Sequence, residues 1–322
     1  MSREEETRQQ RLTSESTLMA YLELLRLPNV FTAMADVAMG FLFVQACSWT
    51  IEPRDGWVLA ALVVASSMLY GCGVVLNDVS DLEHDTRHRP GRPLPSGRVS
   101  LKAARWLGWQ LLAIGVILGC VAGASGGNFR PGMAAALLAA AIVLYNMLAK
   151  QTPIGPVVMG LCRALNVLLG MSVLAAPLAA EHWLVAGGIG VYTAGVTWFA
   201  RNEAGRPSRG QLAAATLIIV LGIVLLAQFP RYSERIVELL AQQPQRWILL
   251  MTILGLLIGW RCLRAAIDPH PQRIRAAVTH CIMSLVLLDA AACYAVRGLF
   301  WAVMILMLLV PAMVFGKWID ST

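Results

Sequence analysis

The fold class predicted by this 322-residue sequence is all-α: a polytopic transmembrane bundle of nine or ten helical spans in one continuous domain. Three observations predict it. Hydrophobic residues make up 57% of the chain and charged residues 14%, against roughly one quarter charged in soluble domains. Apolar runs close to the length of a bilayer-crossing helix recur along the chain. Basic residues gather in alternate turns between those runs, which is the pattern of a membrane protein oriented by its positive charges.

Residues 1–25 are polar and read as a cytosolic amino-terminal segment, without the apolar core and small-residue cleavage site of a secretory leader, so the first span is expected to be retained. Residues 26–322 read as a single membrane domain. The first span, 28–47, starts at Arg26-Leu27-Pro28-Asn29, where proline suits the first helical turn, and it carries Asp36, an acid that in a bundle interior requires a partner. The second, 57–76, contains Gly71 and Gly73 and runs directly into Asn77-Asp78-x-x-Asp81-x-x-x-Asp85. A linker carrying Arg87, Arg89, Arg92, Arg98 and Lys102 leads to spans at 106–122 and 131–148, the latter closed by Tyr145-Asn146-x-x-x-Lys150. Span five, 154–178, holds Arg163 and Asn166 on one helical face, and buried groups of this kind need partners or a ligand. Span six, 184–200, ends in Arg201-Asn202-Glu203 and Arg206. Further spans follow at 212–228, 248–263, 276–296 and 300–315, with an amphipathic segment on the opposite side over 231–246.

The net charge of +7 is distributed among these linkers, with no zinc finger or aromatic-basic platform beside it. Topology and anionic lipid headgroups explain it, and nucleic acid is excluded as a partner. Seven cysteines are scattered singly through apolar sequence, without metal-ligand spacing, and read as small core residues.

Asn77, Asp81 and Asp85 recur every fourth residue, so a continuous helix stacks their oxygens in one ladder about 6 Å apart. Asp78, on the neighbouring face, could complete a metal site or hold a ligand residue in place. An oxygen-rich site of this type suits Mg²⁺, which keeps water ligands and binds phosphate groups. Arg87, Arg89 and Arg92 follow at once and could engage the outer oxygens of a diphosphate. The bland alternative is an interfacial charge cluster that ends the span. Zinc held by His84 and His88 fits the surrounding basic residues less well.

Joined to Arg92-Pro93-Leu94-Pro95-Ser96-Gly97, this motif resembles that of the UbiA superfamily of intramembrane prenyltransferases. The resemblance implies Mg²⁺-assisted transfer of a prenyl group from prenyl diphosphate to an aromatic or other small lipophilic acceptor, with release of diphosphate. It maps Asn77, Asp81 and Asp85 onto the first diphosphate–metal motif and sets Arg92 and Lys150 beside them as the catalytic group. Asp78, Arg163, Asn166, Arg201, Asn202, Glu203 and Arg206 are expected around the substrates, with Glu203 a further metal ligand. Pro93 and Pro95 would stiffen the linker and Gly97 would permit its turn.

The chain departs from the family at Arg201-Asn202-Glu203, where many members carry a second aspartate-rich motif. This leaves an alternative reading, a noncatalytic isoprenoid-binding protein or a transporter of a lipid or small-molecule precursor. Arg261, Arg264 and Asp268 form another polar edge that either orients the bundle or contacts phosphate. Tyr192, Trp198, Phe199 and Trp260 offer ring faces to a carbocation or ordinary packing. The expected setting is a plasma or inner membrane, among its lipids, with the amino terminus and active-site loops in the cytosol.

Overall fold

The computed structural model describes residues 17–45, 52–201 and 208–318, and every regular element among them is helical. In chain order these are α1 over 17–24, α2 (Leu27–Val44), α3 (Pro53–Ser80), α4 (Leu82–His88), α5 (Leu101–Gly126), α6 (Arg130–Leu144) extended by a π turn at Tyr145–Ala149, and α7 (Gly155–Met171). They continue as α8 (Ala180–Arg201), α9 (Arg209–Gln228), α10 (Glu238–Gln242), α11 (Pro244–Ile267), α12 (Pro271–Arg297), α13 (Leu299–Leu306) and α14 (Leu309–Trp318). Helix starts follow local chemistry: proline occupies the first turn of α2, α3, α6, α7, α11 and α12, where its missing N–H is no loss. Ser100 caps α5 by accepting the Ala103 N–H.

Among the described residues, nine helices are long and apolar enough to cross a membrane: α2, α3, α5, α6 with its π turn, α8, α9, α11, α12 and the α13–α14 pair. Helix α7 is shorter, at 17 residues, yet it makes a tenth pass of the bundle. At its start Arg201, the last residue of α8, donates to the carbonyls of Lys150 and Thr152. Past its end Asn128 and Arg130, beside the start of α6, donate to the Ser172 and Leu174 carbonyls at 3.1 and 2.6 Å. Seventeen residues rise roughly 25 Å, enough to join the two ends.

Helix α2 packs against α7, α12, α3 and α14, which places it inside the bundle. Its contact with α7 is backbone to backbone. A Cβ on Gly40 would collide with the Val167 carbonyl, and one on Gly170 with the Val37 carbonyl. Small residues allow that approach, and it brings Asp36 against Arg163. The outer faces of α9 and α11 expose Leu217, Ile248 and Leu256, the side chains that a bilayer would cover. The segment expected to be amphipathic over 231–246 contains the short α10 and is pinned by Arg235, which donates to the Val44 carbonyl at 2.5 Å.

Candidate active site

A cavity of about 510 Å³ opens at the end of the bundle where α3 runs out, a volume suited to a small-molecule site. Arg26, Asn77, Asp81, Asp85, Arg92 and Lys150 line its charged mouth. Leu138, Ile142, Met159, Val278 and Ile282 form apolar walls, and Ser66, Arg163 and Asn166 lie at its inner end. A charged mouth above an apolar shaft matches a ligand with an ionic head and a hydrocarbon tail.

The acid motif is not one unbroken ladder. Helix α3 ends at Ser80 and α4 begins at Leu82, with Asp81 between them at φ −91°, ψ 1°. The backbone bonds nevertheless continue at helical spacing, Asp81 N–H to the Asn77 carbonyl at 3.0 Å and Asp85 N–H to the Asp81 carbonyl at 2.8 Å. The shared face therefore survives the break.

Each acid at the mouth has a basic partner. Asp85 accepts from Arg92 at 2.6 Å, and Asp78 accepts from Arg26 at 2.8 Å with Arg92 3.7 Å away. The Lys150 ammonium touches the Asp81 carboxylate. Burial pulls the pKa of Lys150 down from the ordinary lysine value, and the contact with Asp81 opposes that shift. Asp78 holds Arg26, the supporting part that its neighbouring face allowed. Arg26 itself adopts φ 45°, φ being otherwise positive only at glycines among the described residues. Such strain persists where surrounding contacts fix it, here the bond to Asp78.

The linker is folded tightly over this mouth. Ser96 N–H reaches the Arg92 carbonyl at 3.0 Å, Val99 N–H reaches that of Pro93 at 3.1 Å, and Gly97 takes φ 74° as its expected turn requires. Leu94 and Val99 are buried, and Arg98 pairs with Glu23 of α1 at 2.6 Å.

The inner end is a buried polar network. Arg163 pairs with Asp36 at 2.8 Å and donates to the Thr32 hydroxyl at 2.6 Å. Asn166 donates to Asp36 and to the Ala33 carbonyl, both at 3.0 Å, and accepts from Ser66 at 2.7 Å. Arg163 and Asn166 thus reach the cavity while their polar atoms tie α7 to α2 and α3. Arg201 does not point to the acids either; it binds the Thr152 and Lys150 carbonyls at 2.8 and 2.5 Å and so anchors the loop that carries Lys150. Asn202, Glu203 and Arg206 lie outside the described residues.

Two features escaped the sequence reading. Asp289 of α12 is fully buried with its carboxyl beside that of Asp36, and an acid within the run 276–296 was the available signal. The rings that line the cavity are Tyr70 and Tyr145. Tyr192 instead is buried, with its hydroxyl on the Cys281 carbonyl at 2.8 Å, Phe199 is buried, and Trp260 is exposed beneath Arg264. Packing explains the first two, and Trp260 stacks with Arg264 on the outer surface.

The donor set fits Mg²⁺ in kind. Asn77, Asp81 and Asp85 present amide and carboxylate oxygens to one cavity, hard ligands for a cation that completes its shell with water and phosphate. Among the described residues no three acids, histidines or cysteines converge on a point, since the carboxylates are turned to their basic partners.

The sequence profile of the UbiA prenyltransferase family matches residues 37–280. A digeranylgeranylglyceryl phosphate synthase of Sulfurisphaera tokodaii is 35% identical over 152 residues, 47% of this chain and 51% of that protein. The synthase of Metallosphaera sedula is 35% identical over 151 residues, 47% and 50% of the two chains. The chain therefore spans about half the length of the curated relatives it matches. A solved digeranylgeranylglyceryl phosphate synthase superposes with a TM-score of 0.63 at 21% identity, covering 88% of this chain and 99% of its own. A UbiA homolog from Archaeoglobus fulgidus bound to GPP and Mg²⁺ gives 0.60 at 16% identity, with 86% and 100% covered. At these identities the two structures share the fold.

Proposed function

The chain belongs to the UbiA prenyltransferase family, and on that footing we propose that it moves a prenyl group from a prenyl diphosphate to a lipophilic acceptor, releasing diphosphate. The observation that carries this reading is the single cavity in which Asn77, Asp81 and Asp85 face Arg92 and Lys150 above apolar walls. Asn77, Asp81 and Asp85 are the residues that would hold Mg²⁺, with Glu203 a further candidate. Bound there, the ion would neutralise charge gathering on the departing diphosphate.

Arg92 and Lys150 neutralise Asp85 and Asp81. When a diphosphate arrives, both cations transfer their hydrogen bonds to its oxygens, and the two carboxylates become available as ligands. Asp78 keeps Arg26 at the rim. Arg201 fixes the backbone of Lys150, so the ammonium starts from a set place. The allylic C–O bond then breaks with its electron pair on the diphosphate. The acceptor's electron pair forms the new bond to the prenyl carbon, and the acceptor's proton passes to water. Tyr70 and Tyr145 present ring faces to the cationic carbon. Leu138, Ile142 and Val278 keep water from that carbon. The arginine-rich linkers at the mouth favour a cytosol-facing site in a plasma or inner membrane.

The test is purified protein in lipid nanodiscs supplied with Mg²⁺, labelled geranyl diphosphate and a lipid extract. Diphosphate release with label appearing in lipid is expected. Donor binding with no transfer to any lipid would overturn the catalytic reading in favour of a noncatalytic isoprenoid-binding protein.

A further inference from the structure

Helices α11 and α12, joined by residues 268–270, bring two thiols together inside the bundle. Cys262 of α11 and Cys281 of α12 lie with their sulfurs 3.5 Å apart, and the residues keep 0% and 1% of their surface. Among the described residues the other four cysteines, Cys72, Cys120, Cys162 and Cys293, make no such contact with one another. Cys47 lies outside the described residues. Small size alone accounts for burial of a cysteine. Two sulfurs in contact across helices also carry a chemistry, because such a pair gives up two electrons together and closes a covalent bond.

The surroundings hold both partners in place. Tyr192 of α8 donates its hydroxyl to the Cys281 carbonyl at 2.8 Å, so a third helix fixes this turn of α12. Ile258, Ala265 and Ala266 are buried around Cys262, as are Ala277 and Leu285 around Cys281. The sulfurs need approach by only about 1.5 Å to reach the roughly 2.05 Å of a disulfide. That bond would close a loop of roughly 20 residues, which removes freedom from the unfolded chain. Its position also matters to the site. Val278 and Ile282, on either side of Cys281 in the same turns of α12, line the cavity at the end of α3.

We propose that Cys262 and Cys281 form a redox-sensitive clip, oxidised by an uncharged peroxide to a disulfide that fastens α11 to α12. One sulfur, as its thiolate, attacks the peroxide O–O bond; that bond breaks, the sulfur keeps a hydroxyl as a sulfenic acid, and the other oxygen leaves protonated as alcohol or water. The second thiol loses its proton and displaces the hydroxyl as water, forming the S–S bond. Two electrons pass from the sulfurs to the peroxide, and a dithiol reverses the reaction. Where thiols are kept reduced, such a bond is transient and reports oxidation. Burial selects the reagent: a small neutral peroxide can enter apolar packing, and a charged disulfide cannot. The clip does not depend on the transferase reading.

The full chain in nanodiscs tests it, treated with hydrogen peroxide, cumene hydroperoxide or oxidised glutathione, then alkylated, digested and mapped by mass spectrometry. A peroxide should join the peptides carrying Cys262 and Cys281 with loss of two hydrogens, and dithiothreitol should restore both thiols. Linking by cumene hydroperoxide alone would identify a lipid hydroperoxide as the oxidant; linking by both would identify a water-borne peroxide as well. Two unreacted thiols, sulfinic or sulfonic acid without the link, or a link to a different cysteine would overturn the proposal, and equal linking by oxidised glutathione would overturn the choice of oxidant. This map needs no variant. The linked protein should also melt several degrees above the reduced one, with no peroxide-induced rise in Cys262→Ala, or in Cys281→Ala should the first fold poorly. A link that leaves the midpoint unmoved would mean that it fastens nothing, and the clip would be refuted.

Discussion

At the mouth of the cavity below α3, Asp78, Asp81 and Asp85 meet Arg26, Lys150 and Arg92, and at its inner end Asp36 meets Arg163 and Asn166. Both regions are built from acids, amides and bases, and Asp78 and Asp85 are buried at the mouth as Asp36 is at the inner end, but water reaches the Asp81–Lys150 pair. Asp81 and Lys150 keep 23% and 20% of their side-chain surface, whereas Asp36 keeps none. A pair at the edge of a cavity can exchange one partner for a ligand because solvent and substrate replace what is lost. A pair inside the bundle has no such replacement, so breaking it leaves a bare charge in a low-dielectric interior. The mouth is therefore a place for chemistry and the inner end a fastening between helices.

The strongest challenge to that contrast is Arg163→Met. It strands Asp36 without its cation and should cost about 3–5 kcal/mol of stability, read as a large fall in the thermal midpoint in detergent or nanodiscs. A midpoint within a degree or two of the unaltered protein would mean the inner network is not a fastening. Asp81→Asn and Asp85→Asn should both lower prenyl transfer about 100-fold, as loss of a metal ligand or its support does; the melting curve should stay in place for Asp81→Asn, whose pair is partly solvated, and fall for Asp85→Asn, whose pair is buried. Turnover near the unaltered level would remove these acids from the mechanism.

Arg201→Gln sharpens the contrast by acting between the two regions. Freed from the Lys150 and Thr152 carbonyls, the loop should wander, with a roughly tenfold fall in kcat, equivalent to about 1.4 kcal/mol. Recovery with Lys in place of Arg would be partial, since one ammonium does not reproduce the guanidinium fork. If Arg201→Gln changed only stability, its role would be that of a plain tether. The smallest effect belongs to the exposed Glu83–Arg87 pair on α4, at 2.7 Å with both side chains mostly in solvent. Glu83→Ala should change stability by less than about 0.5 kcal/mol and leave transfer rates alone; a large fall in either would mean that the solvent face of α4 is coupled to the mouth.

Local features were legible from the sequence because they depend on neighbouring residues alone. Apolar runs foretold the helices, Gly97 foretold a turn, and the spacing of Asn77, Asp81 and Asp85 foretold a shared face. The same reading carried the helix straight through Asp81, where the structure divides it, because nothing in the spacing registers how the following turn must swing to seat Arg92 against Asp85. Between the two readings left open for the rings, structure chose packing for a related reason. Tyr192 and Phe199 both lie in span six, where helical phase turns them into the core, and Tyr70 and Tyr145 line the cavity.

Sequence by itself determined the class of molecule, the order of its spans, the family and the shared face of Asn77, Asp81 and Asp85, since hydropathy, charge and short motifs are properties of contiguous chain. Only the tertiary structure decided partners. Asp36 finds Arg163 and Asn166 across 127 and 130 positions because Gly40 and Gly170 let two backbones touch, and Asp289 joins them from a third helix. Which acid meets which base depends on the phase and separation of helices far apart in the chain, and that is fixed by close packing of the whole bundle.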